Sequence, residues 1–365
     1  PLAKLDSKLY NLGKRNVLTN TAASTYMFTS FELCDEQGVL LGTNEHNNSL
    51  VILDLFDQKK YKNPHMTIMG TTGSGKTHTL QCLGTRMRRK HVNTYVIAPA
   101  KGHEFIRATK ALGGEFIRIS PGSPHCINIM EIRPMDHSAS EFLDEMVEEQ
   151  SYLSMKIDSL LIFFSIIMPE MTNIEEQLLD EALVKTYADF GITNDNDTLW
   201  DPERPGKFRL MPILGDLYQN LLHNPKAERL AIVLNRFVNG SAKSFNNQTN
   251  VDLSNPYTVI DLIDEVWQLI GSGSSPQAAE FLVEMAKIGR AHNTSVIFAT
   301  QDISDFFSLE DGKYGKAIIA NSKTKIILNL EPHEAEKCGE VLNLTATEVH
   351  KIKNFERGHG LLSSN

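Results

Sequence analysis

Little in this sequence would hold it together covalently. Its four cysteines, Cys34, Cys82, Cys126 and Cys338, are scattered and form no CxxC pair. That excludes a disulfide framework and a zinc knuckle, and reads as reduced thiols in a cytosolic compartment. Long apolar runs are also missing. The longest, Leu160 to Met168, contains Ser165 and follows Lys156 and Asp158, whereas a membrane helix needs about 18 apolar residues or more. The opening residues carry no signal-peptide pattern. A chain that begins at Pro1 rather than methionine is expected to be part of a longer one. Glycine (23) and proline (14) are near average for 365 residues, which rules out collagen-like and low-complexity chains. An excess of positive charge is absent too: 36 Lys and Arg stand against 45 Asp and Glu, a formal net charge of −9. That balance argues against a protein coating nucleic acid with its whole surface, and leaves a local basic pore or patch open.

What is present is an ordinary globular composition, 41% apolar and 22% charged. The length suits two to three domains, or one large domain with an insertion, with ample core. Residues 1–60 read as mainly β. Short apolar or alternating runs at Ser24–Leu33, Val39–Leu41 and Ser49–Leu55 are separated by turn-prone DEQG and TNEHNN. Strand and helix then alternate: strand Met66–Met69, helix Lys76 to about Lys90, strand Asn93–Ala98 ended by Pro99, helix Gly102–Leu112, strand Glu115–Ile119. Such alternation predicts a parallel α/β sheet. Between Asp136 and Asn250 the period becomes helical, over Ser140–Met168, Asn173–Phe190, Met211–Leu222 and Lys226–Phe237, with a polar loop at Asp195–Lys207. After Asn250 the alternation returns, with strands at Tyr257–Ile260, Ser295–Thr300 and Lys325–Leu330, helices at Pro276–Gly289 and Glu334–Leu342, and a final strand from Gly360. The expected organisation is an α/β core of residues 1–135 and 251–365, with an all-α subdomain, 136–250, inserted in it.

One motif carries most of the chemistry. Gly70-Thr71-Thr72-Gly73-Ser74-Gly75-Lys76-Thr77 matches G-x-x-x-x-G-K-[ST] between an apolar strand and a helix. Glycines let the backbone curl so that several N–H groups point at phosphate oxygens. The following helix adds unpaired N–H groups and a positive dipole end. Lys76 is expected on the β- and γ-phosphates, Thr77 on Mg²⁺, and His78 beside the cofactor. The expected cofactors are ATP and Mg²⁺, with no other metal.

Hydrolysis also needs a second acid at the metal and a group that activates water. Leu262-Ile263-Asp264-Glu265 offers both, Asp264 for the metal shell and Glu265 as the catalytic base. Gln301, at the end of an apolar strand, reads as a helix cap or turn on spacing alone, and otherwise as a group that senses the γ-phosphate or positions water, because strand ends face the ligand crevice of open α/β sheets. Arg290 is either an arginine finger for a neighbouring subunit or a local charge complement at a helix C-terminus. The basic run Thr85–His91 (TRMRRKH) reads first as a charged helix end suited to the dipole. Asp261 is out of place in a strand that should be apolar on both faces. The pattern suggests two strand ends, TVID and LIDE, run together as if a segment were missing between Asp261 and Leu262.

With these segments in view, the sequence resembles a family. GTTGSGKT, LIDEVWQL, IGRAHN, FATQDISDF and AIIANSKTKIIL, in this order, resemble the ATPases of type IV secretion and conjugative DNA transfer, the TraC/TrbE class or fourth VirB component. LLGTNEHNNSLVILDLFD, GGEFIRISPGSPHCINIMEI and FNNQTNVDLSNP resemble that class as well. The resemblance implies a RecA-like P-loop motor domain of the HerA/FtsK group with an inserted helical bundle, and a preceding N-terminal domain. It implies phosphate and Mg²⁺ binding by Gly70–Thr77, acid roles for Asp264 and Glu265, the polar strand-end role for Gln301, and an arginine of the family's GR segment in Arg290. Ala98-Pro99-Ala100-Lys101 departs from the acidic segment that many members carry there.

The function expected is an ATP-hydrolysing motor that energises substrate transfer or pilus biogenesis, active as a homo-oligomer and, by resemblance, a hexamer. It would lie in the cytoplasm against the inner face of the membrane, held by other secretion components. A DNA translocase of the HerA/FtsK type, with DNA as partner, and a nucleotide-gated scaffold with little turnover are the alternatives.

Overall fold

The computed structural model describes residues 32–99, 101–120, 122–133, 151–240, 242–262, 293–300 and 313–364. The chain divides into two compact units, Pro1–Asp54 and Leu55–Asn365. In the first, β1 (Val39–Thr43) and β2 (Leu50–Leu53) form an antiparallel hairpin with an irregularity between Leu40 and Gly42. Its mainly β character matches expectation over the described part. The Ser24–Leu33 run lies almost wholly outside the described residues.

The second unit holds seven described strands in two blocks. In the first block β3 (Met66–Met69) is the fully buried centre. It pairs in parallel with β7 (Ile297–Thr300) and β8 (Thr324–Ile327), and β9 (Leu361–Ser364) closes the edge antiparallel to β8. In the second block β6 (Tyr257–Leu262) lies between β4 (Thr94–Pro99) and β5 (Glu115–Ile119), all parallel. Helix α1 (Lys76–Arg89) leads from β3 in one block to β4 in the other, and α2 (Ile106–Ala111) lies in the crossover that the parallel strands β4 and β5 need. This is the expected α/β fold.

The middle of the unit is helical. Helices α3 (Tyr152–Ile167), α4 (Asn173–Asp189), α5 (Leu214–Leu222) and α6 (Glu228–Val238) share one apolar cluster that includes Phe164, Leu179, Leu183, Tyr187, Leu217 and Leu234. Helix α4 starts where its sequence says it should: Thr172 and Glu175 form a reciprocal capping box. The polar segment after α6 ties the bundle to the chain that enters it. Cys126 N–H donates to Asn250 Oδ1 (2.7 Å), Asn128 N–H to Thr249 Oγ1 (3.0 Å), Gly215 N–H to Asn246 Oδ1 (2.6 Å), and Gln248 Nε2 to Met211 O (2.6 Å).

Three further helices follow among the described residues: α7 (Lys313–Asn321), α8 (Pro332–Leu342) and α9 (Ala346–Asn354). Helices α8 and α9 cover β3 and β8 through Met69, Ile327, Ala335, Cys338 and Ile352. All four cysteines are free thiols, and burial beside Glu334 pushes the Cys338 thiol up to about 12. No helix among the described residues is long and apolar enough to cross a membrane.

Several expectations need correction. The strand at 94–99 includes Pro99, and the one in KIILNL ends at Ile327. The helix expected from Gly102 opens as a 3₁₀ turn, Gly102–Phe105. TVID and LIDE do not part at Asp261: β6 runs through, with Ala98 and Arg118 opposite Asp261 and Pro99 and Ile119 opposite Leu262. The buried Asp261 is not unpaired. It accepts from Gly102 N–H at 2.9 Å and lies 3.6 Å from Arg118 Nε.

Candidate functional site

The P-loop leaves the C-terminal end of β3, between the ends of β7 and β8. Gly70 N–H donates to Thr300 O (3.3 Å), and Leu328 N–H to Met69 O (2.8 Å). The loop is made from backbone that only glycine adopts cheaply: φ is +85° at Gly73 and +111° at Gly75. Ser74 is buried and turns inward, its Oγ donating to Thr71 O at 2.7 Å. Helix α1 then starts at Lys76 with Gly75 as its N-cap residue, no side-chain cap and no acid in its first turn. The first-turn N–H groups and the positive dipole end are therefore left for an anion.

Lys76 folds back over this loop. Its Nζ donates to Gly70 O and, at 2.8 Å, to Thr71 O. Burial, and then the nearby Lys101, lower its pKa to about 8, with Glu104 acting the other way. Thr77 is half-buried in the first turn of α1. His78 is exposed, with Nε2 3.4 Å from Cys82 Sγ one turn on. All nine P-loop positions, Gly70 to His78, thus come together at one strand–helix junction. Asp264, Glu265, Arg290 and Gln301 lie outside the described residues.

Two supports of the site escape sequence reasoning. Asn329, just past β8, accepts from Thr71 N–H (2.9 Å) through its carbonyl and donates through Nδ2 to Lys353 O (3.1 Å), so it fastens the P-loop to the end of α9. The signal was available, since a polar amide at the end of an apolar strand is the pattern that singled out Gln301. Asp261 is the second. Through Gly102 it holds the turn that carries Lys101 and Glu104 toward Lys76, and a β-carbon on Gly102 would overlap its carboxylate. Gln81 of α1 donates to Glu104 O at 2.9 Å from the other side.

The basic run ends α1 as the dipole favours. Arg86, Arg88 and Arg89 occupy its last turn. His91 turns left-handed (φ +61°), so that His91 N–H meets Arg88 O and Val92 N–H meets Met87 O, a Schellman closure.

With this geometry in place, the family is decided by one match. The family model of the helicase HerA central domain covers residues 41–268, more than half of the chain. The chain belongs to the HerA central-domain family. Among solved structures it is similar to VirB4 of Thermoanaerobacter pseudethanolicus, with 25% identity and a TM-score of 0.72 over 92% of this chain and 96% of that one. It is also similar in fold to the bacterial conjugative coupling protein TrwBdeltaN70, with 12% identity and a TM-score of 0.51 over 90% and 88%. No curated protein sequence matches it. The resemblance read from the motifs holds: this is a VirB4-like member of the HerA/FtsK group, with the RecA-like P-loop fold of that group.

Proposed function

We propose that this chain is the ATP-hydrolysing motor of a type IV secretion or conjugation system, energising substrate transfer or pilus biogenesis. The observation that carries it is a complete P-loop, with left-handed glycines and an uncapped helix start, inside a VirB4-like chain of the HerA family. ATP would lie along Gly70–Thr77, with Lys76 leaving its two loop carbonyls for the β- and γ-phosphates and His78 beside the nucleotide. Thr77 and Asp264 would hold Mg²⁺, which supplies charge neutralisation at those phosphates. Glu265 would take the proton of the attacking water, Gln301 would report the γ-phosphate, and Arg290 would reach a neighbouring subunit's nucleotide. The active form would be a homo-oligomer, a hexamer by family likeness, docked by other secretion components to the inner face of the membrane. In domain terms, 1–135 and 251–365 would form the motor core and 136–250 the inserted bundle.

The second reading, a DNA translocase of the same group, leans on the family and on the basic run. The dipole-matched closure of α1 already accounts for that run, so the motor reading stands first. ATPase rate against protein concentration, with and without DNA, tests all three readings. The motor predicts turnover that rises faster than linearly with concentration and ignores DNA. DNA stimulation with steep salt dependence would replace it by the translocase. ADP binding with no turnover at any concentration would leave the scaffold.

A further inference from the structure

A second wall of the nucleotide site stands in the turn 356–360, between α9 and β9. Because β9 runs antiparallel to β8, with Leu361 opposite Ile327, this turn emerges at the same sheet edge as the P-loop. It is fixed at both ends. Before it, Asn329 binds the backbone of Ile352 and Lys353 while its own carbonyl accepts from Thr71 of the P-loop. After it, Gly360 packs on the end of β8, where a β-carbon would sit 3.0 Å from Ile327 O and from Leu328 Cδ2. In between, Gly358 takes φ +92° and His359 N–H donates to Glu356 O at 3.0 Å, which bends the turn. The bend brings Gly358 N to 3.8 Å from the position of a β-carbon on Gly75, the residue that caps α1.

Arg357 sits at this point. It is exposed, and among the described residues it makes no ion pair. Near Lys76, Lys101 adds positive charge and Glu104 partly offsets it. A polyphosphate entering the loop brings more negative charge than these groups neutralise, and a guanidinium fork suits phosphate oxygens better than an ammonium does. We propose that Arg357 is a nucleotide-binding residue, whose guanidinium closes over the phosphate chain of a nucleoside di- or triphosphate held by the P-loop of the same chain. This rests on the nucleotide reading given above. It assigns Arg357 a role in cis, unlike the role in a neighbouring subunit carried by Arg290.

Equilibrium binding of a fluorescent ADP to dilute protein tests it, with Lys76→Glu, Arg357→Ala and Arg357→Lys compared with the parent chain and each variant checked by its thermal melt. Lys76→Glu is expected to abolish binding. Arg357→Ala is expected to weaken it about tenfold or more and to flatten its dependence on salt, with an unchanged melt because the side chain is exposed. Arg357→Lys should recover part of the affinity. Binding by Arg357→Ala within about twofold of the parent, while Lys76→Glu binds nothing, overturns the proposal and leaves the P-loop reading intact. If Lys76→Glu binds as the parent does, the nucleotide reading itself falls, and this proposal with it.

Discussion

The neck of the helical bundle and the mouth of the P-loop treat their polar groups in opposite ways. At the neck, where residues 124–130 and 246–250 join the bundle, side chains pair with backbone groups. Tyr187 is fully buried and its hydroxyl donates to Met130 O (2.6 Å), while Asn128 Nδ2 donates to Pro212 O (2.8 Å). The Asn246–Asn250 segment ties the chain entering the bundle to the chain leaving it. At the mouth, α1 starts without a side-chain cap, two glycines hold left-handed backbone, and among the described residues a partly buried lysine donates to two loop carbonyls. An unmet donor costs free energy unless something supplies its partner. The bundle meets that cost internally, and the P-loop leaves it for an anion. The bundle should therefore govern stability, and the loop should govern ligand binding.

Exchanging the two consequences is the way to break this contrast. The largest effect is expected from Lys76→Ala. ATP turnover should fall by about a hundredfold or more, as when a transition-state donor is removed. The melt without added nucleotide should not drop, because burial has lowered the pKa of this lysine and so disfavours its charged form in the folded chain. Turnover and a thermal melt on the same sample check both. Phe164→Ala should do the reverse. This fully buried ring of α3 packs edge-on against Phe163 (5.6 Å), and its loss should cost about 3–5 kcal/mol in denaturant titrations. ADP affinity of the folded protein should stay the same, and a parallel loss of affinity would show that the two regions are coupled. Tyr187→Phe isolates the polar part of the bundle. Leaving Met130 O without its donor should cost about 1–3 kcal/mol, again read by denaturant. A cost near zero would mean that the neck is held by its apolar contacts alone.

The same contrast decides what could be read from the sequence. The P-loop was legible in full, because glycine spacing and a Lys-Thr pair are local signals for a local backbone shape. Helix α4 was legible to within a residue, since the Thr172–Glu175 box and the apolar period agree. Helix α9 was missed, although Thr345 and Glu348 form the same box, because its nine residues offer only Val349 and Ile352 as large apolar side chains. The exception at Asp261 could not be resolved from its neighbours. Its partners, Gly102 and Arg118, lie more than 140 residues away in the chain and are brought in only by the β4–β6–β5 pairing. Asn329 carries the same strand-end amide signal as Gln301, but its partners on α9 and the P-loop meet only once the sheet has closed. Local signals are readable where an apolar pattern backs them, and those that need a sheet to close are not.

The smallest expected effect sharpens the contrast from the ligand side. Lys76 has its pKa lowered to about 8, by burial first and Lys101 second. A bound polyphosphate favours the ammonium form and must raise that value. Below pH 8 the lysine is already protonated, so affinity should hardly change with pH. Above pH 8 binding must take up a proton, and affinity should fall to about one-tenth of its neutral value by pH 9. Proton uptake measured by calorimetry in two buffers should appear over the same window. Lys76→Arg should bind without this slope, because a guanidinium does not titrate there. A slope that survives Lys76→Arg would overturn Lys76 as the titrating group and leave burial of this ammonium without a part in binding.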